Sequence, residues 1–343
     1  VAFLANIPDI ARGTRLVATF SVGSESMRIG GAGHQRQPVP DTWHILGAGA
    51  IGSLMACKLR LAGIDCRLLH RNVRGGADIR RVELLEGGER RAFRIPGEAP
   101  SDLVPASVRR LLITTKAHQA VAAYEAIRPA LADDARVVLL HNGMGVYEQI
   151  RERFPGARPA LGITTEGAYW RSGNLLVRAG RGDTSIGQRG RPAPPAWFAP
   201  LADRVERTFW ASDIDASLWR KLVINCAINP LTAVHGCTNG EIAGNPALWA
   251  RARAVCAELG AVSRARGYPD LADAVENLVR QVAEATAANH SSMLRDVRRG
   301  RATEIDHITG YFCGEADRLG IPCPANRALL EAVRKLDSTA NPT

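Results

Sequence analysis

Between residues 218 and 233 the chain reads LWRKLVINCAINPLTA, an apolar run carrying a lysine and then asparagines four and eight residues on. Four residues advance about 400° around a helix at ~100° each, so Lys221, Asn225 and Asn229 share one helical face. An unpartnered ammonium or amide in a core costs several kcal/mol. Either these groups satisfy one another, or they line a cavity that something polar occupies. The lysine is also rare. Of 44 basic side chains, four are lysine (Lys58, Lys116, Lys221 and Lys335) and the other 40 are arginine. Arginine stays protonated at any usable pH, whereas lysine gives up its proton when its site lowers its pKa. A lysine kept in so arginine-biased a chain points to ammonium-specific chemistry; its alternative is a salt-bridged core lysine.

A second set of residues lies near the other end of the sequence. An apolar run from Trp43 leads into Gly47-Ala48-Gly49-Ala50-Ile51-Gly52, followed by an amphipathic stretch to Ala62 and a second apolar run near 66–70. Between strand and helix, this spacing is a dinucleotide-binding turn. The first glycine permits the tight turn, the second lets backbone approach a diphosphate, and the third lets helix and strand pack closely. The diphosphate sits where free N–H groups and the helix dipole favour an anion. After the second strand stands His70-Arg71-Asn72, where an NAD enzyme usually shows a carboxylate. With no acid there to repel a 2′-phosphate and Arg71 able to grip one, the cofactor reads as NADP.

Two further polar residues, Lys116 and Asn142, follow apolar runs directly (RRLLITTK and ARVVLLHN). Ligands of open α/β sheets bind at the carboxyl ends of strands, so this placement makes both of them site candidates.

The glycine turn, TKA at 115–117, HNGMG at 141–145, LWRKLVINCAINPLTA at 218–233, TNGE at 238–241, SSML at 291–294 and TEID at 303–306 resemble the ketopantoate reductase family in order and spacing. The resemblance covers residues 43 to 335. It implies an N-terminal Rossmann domain, an all-helical C-terminal domain with the site between them, and NADPH-dependent reduction of 2-dehydropantoate to pantoate on the route to pantothenate and coenzyme A. By the same resemblance Lys221 is the proton donor and Glu304 contacts the substrate hydroxyl or the nicotinamide end. Asn225, Asn229, Asn239 and Ser292 hold substrate. The glycine turn, Arg71, Lys116, Asn142 and Ala168 contact cofactor. Glu166, two residues before Ala168, departs from what the family pattern would lead one to expect, and the transfer to Ala168 is the weakest.

The chemistry agrees with the residue types. Hydride arriving at C2 of a 2-keto acid builds negative charge on the ketone oxygen. An ammonium polarises that oxygen and then protonates it. Asparagine amides bind a carboxylate- and hydroxyl-bearing substrate without competing for the proton. A carboxylate beside a partly buried lysine helps to keep it charged. Two alternatives stay open: another NADP-dependent 2-hydroxy-acid dehydrogenase on the same scaffold, and a non-catalytic NADPH-sensing regulator.

Positioning these residues calls for an α/β fold: a doubly wound Rossmann-type domain at 41–212, then a helical domain at 213–337. Strands are expected at the runs above, with a hairpin tipped by Gly87-Gly88 and later, antiparallel strands at 160–170, 173–180 and 183–187. Helices are expected at 216–235, 247–266, 271–290, 303–319 and 325–336. Residues 1–40, rich in Gly, Gln and Pro toward their end, read as a disordered extension. At 343 residues, 46% hydrophobic and 23% charged, the chain has the composition of a globular protein with two cores. Its net charge of +10 is spread among acids without an aromatic platform, so nucleic acid is not expected as a partner. No apolar run reaches the ~18 residues of a membrane span. Seven cysteines without a CxxC pair read as buried thiols in a reducing cytoplasm, with no metal site. A small 2-keto acid is the expected partner, and a homodimer is left open.

Overall fold

The computed structural model describes residues 42–70 and 78–340. The expectations for residues 1–40 and for Arg71 lie outside the described residues.

The N-terminal half is an α/β unit. Strands β1 (Trp43–Leu46), β2 (Cys66–Leu69), β3 (Asp78–Glu86), β4 (Glu89–Glu98), β5 (Val108–Ile113), β6 (Leu131–Leu140), β7 (Ala160–Thr164), β8 (Gly167–Ser172), β9 (Leu175–Gly180), β10 (Thr184–Gly187) and β11 (Thr208–Trp210) form one sheet. Its order is β11-β10-β7-β6-β5-β1-β2-β4-β3-β9-β8. Helices α1 (Ala50–Leu61), α2 (Ala117–Ile127), α3 (Val146–Arg153) and α4 (Ala199–Arg204) complete this half. β1 lies between β5 and β2, parallel to both. The chain leaves β1 for one side and later returns on the other, so a crevice opens beyond its carboxyl end. The hairpin β3–β4 turns at Gly87-Gly88 as expected, both with positive φ. The expectation for 160–187 needs one correction. β7 runs parallel to β6, continuing the Rossmann sheet, and antiparallel pairing starts only at β10 and between β8 and β9. An apolar run buried on both faces carries no mark of its direction.

The C-terminal half is helical: α5 (Ile214–His235), α6 (Asn239–Gly244), α7 (Pro246–Ala265), α8 (Pro269–Ala285), α9 (Ser292–Val297), α10 (Tyr311–Arg318) and α11 (Pro324–Ala340). The helix expected at 303–319 is instead a π-helical turn, Asp306–Gly310, running into α10. The six-residue helices α6 and α9 have no counterpart in the sequence expectations, being too short for a period to show. Asp213 caps α5 by accepting from the Ala216 N–H, and Gly236 ends it in a left-handed conformation. Fourteen of its 22 residues are buried, so α5 is a core helix and not a surface one.

Two cores sandwich the sheet. One lies toward the helical half and joins Leu111, Ile113 and Leu139 to Trp219, Leu222 and Val223 of α5. The other packs Leu54, Met55 and Cys57 of α1 against Ile45 and Leu68. The first core fixes α5 against the sheet, which sets the distance across the crevice.

Candidate active site

A cleft of about 1350 Å³ runs from the glycine turn to α5. That exceeds the roughly 300–1,000 Å³ of a pocket for one small ligand and leaves room for a dinucleotide plus a small acid. Its floor fits a dinucleotide. A Cβ on Gly52 would fall 2.0 Å from the Gly47 carbonyl oxygen, so helix and turn touch there and only glycine fits. A Cβ on Gly49 would meet nothing within 4 Å, so the turn is open on its ligand side. No side chain caps the N-terminus of α1 and no acid stands in its first turn, leaving its N–H groups for an anion. Gly47, Ala48, Gly49, Ala50 and Ile51 all line the cleft.

At the other end, both halves contribute. Glu304, 5% exposed, stands two residues before the π-helical turn and reaches back to the sheet. Its Oε1 accepts from the Ala117 N–H at 3.0 Å and its Oε2 from Asn142 Nδ2 at 3.0 Å. Lys116 Nζ lies 3.6 Å from the same Oε2 and pairs closely with Asp296 of α9. Burial opposes the Glu304 charge. Lys116, the Ala117 N–H and Asn142 outweigh it and hold the carboxyl below its usual range. Burial likewise opposes the Lys116 charge, and Glu304 and Asp296 raise its pKa against that. The loop carrying Asn142 is docked by backbone, the Met144 N–H donating to the His307 carbonyl at 2.8 Å inside the π-helical turn.

Lys221 enters the cleft from α5, the first turns of which abut the carboxyl end of β7. Its ammonium donates to the Thr164 carbonyl at 2.7 Å. Among the described residues no carboxylate pairs with it directly. Burial pushes its pKa from 10.5 down to about 8, and Glu304 acts the other way. The ammonium is thus oriented by a neutral acceptor that leaves it free to part with its proton.

Lys116, Asn142, Lys221, Glu304, Ser292 and Ala168 line one cleft. Four predicted residues lie outside its lining: Gly52, packed against the Gly47 carbonyl beneath the turn, and three asparagines. Asn225, one turn beyond Lys221, is half-buried, and its amide makes no hydrogen bond to a described residue. Asn229, two turns beyond, is buried and likewise unbonded through its side chain. Asn239 donates to Thr286 Oγ1 at 2.9 Å, and its buried Oδ1 has no partner among the described residues. Sequence reasoning missed Thr164, Asp296 and His141. A backbone acceptor leaves no trace in residue type, and Asp296 falls in a helix too short to detect. His141, within the quoted HNGMG, was detectable; its Nε2 is buried in the cleft wall without a partner among the described residues. Glu166 has a structural explanation. It is buried between Lys58 Nζ at 2.7 Å and Arg178 Nε at 2.8 Å, behind the cleft wall that Ala168 forms.

A glycine turn at the centre of a parallel sheet, faced by a lysine and a glutamate brought in by a helical half, defines a Rossmann-type oxidoreductase. The family profile described as ketopantoate reductase PanE/ApbA matches residues 43–191, and that of the ketopantoate reductase PanE/ApbA C terminal matches 213–337. The chain is 35% identical over 299 residues to a 2-dehydropantoate 2-reductase of Vibrio cholerae, covering 86% of this chain and 97% of that one. It is 37% identical over 306 residues to the enzyme of the same name from Archaeoglobus fulgidus, with the same coverage. Among solved structures, a PanE/ApbA family ketopantoate reductase from Ralstonia eutropha superposes with a TM-score of 0.75 at 27% identity, over 87% of this chain and 99% of that one. A D-mandelate dehydrogenase solved with NADH and anilino(oxo)acetate shares the fold, at a TM-score of 0.78 and 21% identity, over 88% and 99%. The chain belongs to the ketopantoate reductase family. Among the described residues no helix is long and apolar enough to cross a membrane.

Proposed function

We propose that this protein reduces 2-dehydropantoate to pantoate with NADPH, as a step toward pantothenate and coenzyme A. The observation that carries the proposal is Lys221: an ammonium in the cleft, held by a carbonyl, with its pKa brought down to about 8. Residues 41–212 serve as the cofactor-binding domain and 213–337 as the substrate and catalytic domain. The seven free, buried thiols suit a reducing cytoplasm.

NADPH, when bound, supplies the hydride. The glycine turn and the N-terminus of α1 would hold its diphosphate, and Lys116, Asn142 and Ala168 would contact it along the cleft wall. Lys221 donates a hydrogen bond to the substrate's ketone oxygen, stabilises the charge that builds there, and hands over its proton. Burial then favours the neutral amine it leaves behind. The carboxylate of Glu304, held ionised by Lys116 and Asn142, accepts from the substrate hydroxyl and acts against the burial that lowers the Lys221 pKa to about 8. Ser292 at the start of α9 and the free amides of Asn225 and Asn229 serve the substrate carboxylate and hydroxyl groups. Asn239 is assigned the same duty through its unpartnered Oδ1.

The test is a panel of 2-keto acids with NADPH or NADH, followed at the reduced cofactor's absorbance. The panel includes bulky aryl keto acids, because one fold serves several substrates. Turnover greatest for 2-dehydropantoate with NADPH upholds the proposal. A better substrate elsewhere in the panel replaces it, and no turnover with any acid returns the chain to a cofactor-binding role.

A further inference from the structure

One end of the cleft carries more positive charge than the reaction above employs. Arg80 of β3 and Arg299, just after α9, belong to different halves of the molecule, yet both lie against Trp170 of β8. The Arg80 guanidinium is 5.1 Å from the centre of the indole ring, and Arg299 Nη2 donates to the Trp170 carbonyl at 3.2 Å. Arg295 stacks on the neighbouring Tyr169 at 4.3 Å. All five residues line the cleft. Among the described residues, none of the three arginines has a carboxylate in ion-pair range, in a structure where most arginines have one. Burial lowers the pKa of Arg80 and Arg295. The Asp78 carboxylate acts on Arg80 from a distance without pairing with it, and three cations lining a cleft with no ion pair among the described residues call for an anion.

The position says which anion. Arg80 is two residues from Asp78, whose carboxylate is 3.9 Å from Nε2 of His70. His70 directly follows β2, and burial together with the Arg80 charge depresses its pKa. In a Rossmann sheet the end of this second strand receives the adenosine ribose. Arg80 therefore stands at the strand end that would receive the ribose, and Trp170 carries Arg299 to the same place from the helical half.

We propose that Arg80 and Arg299 together bind the 2′-phosphate of NADP, so that the helical half takes part in choosing between NADP and NAD. This rests on the reading of the cleft as a dinucleotide site. The planar guanidinium forks suit a phosphate monoester, and Trp170 fixes both: its ring holds Arg80 and its carbonyl holds Arg299. The contact from Arg299 ties the cofactor to the half that carries Lys221.

The experiment is calorimetric binding of 2′-phospho-ADP-ribose and of ADP-ribose to the full chain and to Arg80→Ala and Arg299→Ala. Both side chains are at the surface of the cleft, so the variants should fold, and an unchanged far-UV spectrum and melting curve verify this. Each variant is expected to weaken 2′-phospho-ADP-ribose by about 10–100-fold, the usual worth of a hydrogen bond to a charged group, and to leave ADP-ribose within about twofold. Equal weakening of both ligands overturns the proposal, placing the arginines at the diphosphate. No weakening of either overturns it too, giving them to another acid. Tighter binding of ADP-ribose than of its 2′-phosphate by the parent chain overturns it in favour of Asp78 as a ribose acceptor. Failure of the parent to bind either ligand sinks the dinucleotide reading itself.

Discussion

If the Lys221 ammonium is buried for its chemistry, the fold should be more stable without it. Its pKa of about 8, against 10.5 for a free side chain, means that the folded protein disfavours the charged form. At 1.36 kcal/mol per unit, that drop is worth roughly 3 kcal/mol. The sign follows from proton counting. Between pH 8 and 10.5 the unfolded chain holds a proton that the folded one has released, so stability rises with pH across this window. Below pH 8 both states are protonated and the full cost of the buried charge is present. Lys221→Met removes the charge and nearly preserves the volume. It also deprives the Thr164 carbonyl of its donor, at a cost that water in the cleft keeps small. We expect the methionine variant to be about 1–3 kcal/mol more stable than the parent at pH 7 and to lose most of that advantage by pH 10. Turnover should be all but abolished, an exchange of stability for function common at active sites. Urea unfolding of both proteins at the two pH values is the assay. A variant no more stable than the parent at pH 7 would refute the buried-charge argument. So would a gain of the same size at both pH values, which would reflect only added apolar packing.

Lys221→Arg keeps the charge but not the transferable proton, and single-turnover reduction should slow by about 10²–10⁴; a rate within a few-fold of the parent would reduce Lys221 to a structural cation. In the parent, kcat should fall as pH rises through about 8, where Lys221 loses its proton. Glu304→Gln removes the charge that raises this pKa, so the fall should begin at lower pH; a limb that stays put would show that Glu304 does not act through Lys221. Gly52→Ala should abolish dinucleotide binding, because its Cβ would overlap the Gly47 carbonyl oxygen at 2.0 Å and force the turn apart. Normal NADPH affinity in that variant would mean that the turn has slack the structure does not show.

The parts of the site legible in the sequence were those with a period or a fixed spacing. The glycine turn was readable because three glycines meet three separate steric demands. Lys221 was readable because an ammonium in an apolar helix violates the usual pattern, and Lys116 and Asn142 because polar residues directly after buried strands mark strand ends. What escaped notice depended on groups without a sequence signal of their own. The acceptor for Lys221 is a main-chain carbonyl, and any residue at position 164 would supply one. Asp296 is one acid among many until α9 brings it against Lys116. The direction of β7 was misjudged for the same reason: hydrophobic strands buried on both faces look alike in either sense. The π-helical turn after Glu304 was read as plain helix because period alone does not separate four-residue from five-residue hydrogen bonding over one turn.

The scarcity of lysine gains a physical meaning once all four are placed. Lys335 lies exposed on α11 and asks for no explanation. Lys58 is buried on α1, where Glu166 also takes Arg178, so two cations share one carboxylate with no solvent to screen them. A compact ammonium on a narrow stem fits beside the arginine fork, while a second planar guanidinium would need an edge of its own. Lys116 and Lys221 share Glu304 in a comparable way, one close enough to hold the carboxylate ionised and the other far enough to be raised by it without pairing. In both clusters two cations meet at one carboxylate, with Arg178 reaching Glu86 as well and Lys116 reaching Asp296. The difference is solvent and ligand access. Around Glu166 every charge is spent on packing α1 against β8 and β9, whereas at Glu304 the second cation is left with only a carbonyl. That unspent ammonium, and not lysine as such, is what the fold presents to the cleft.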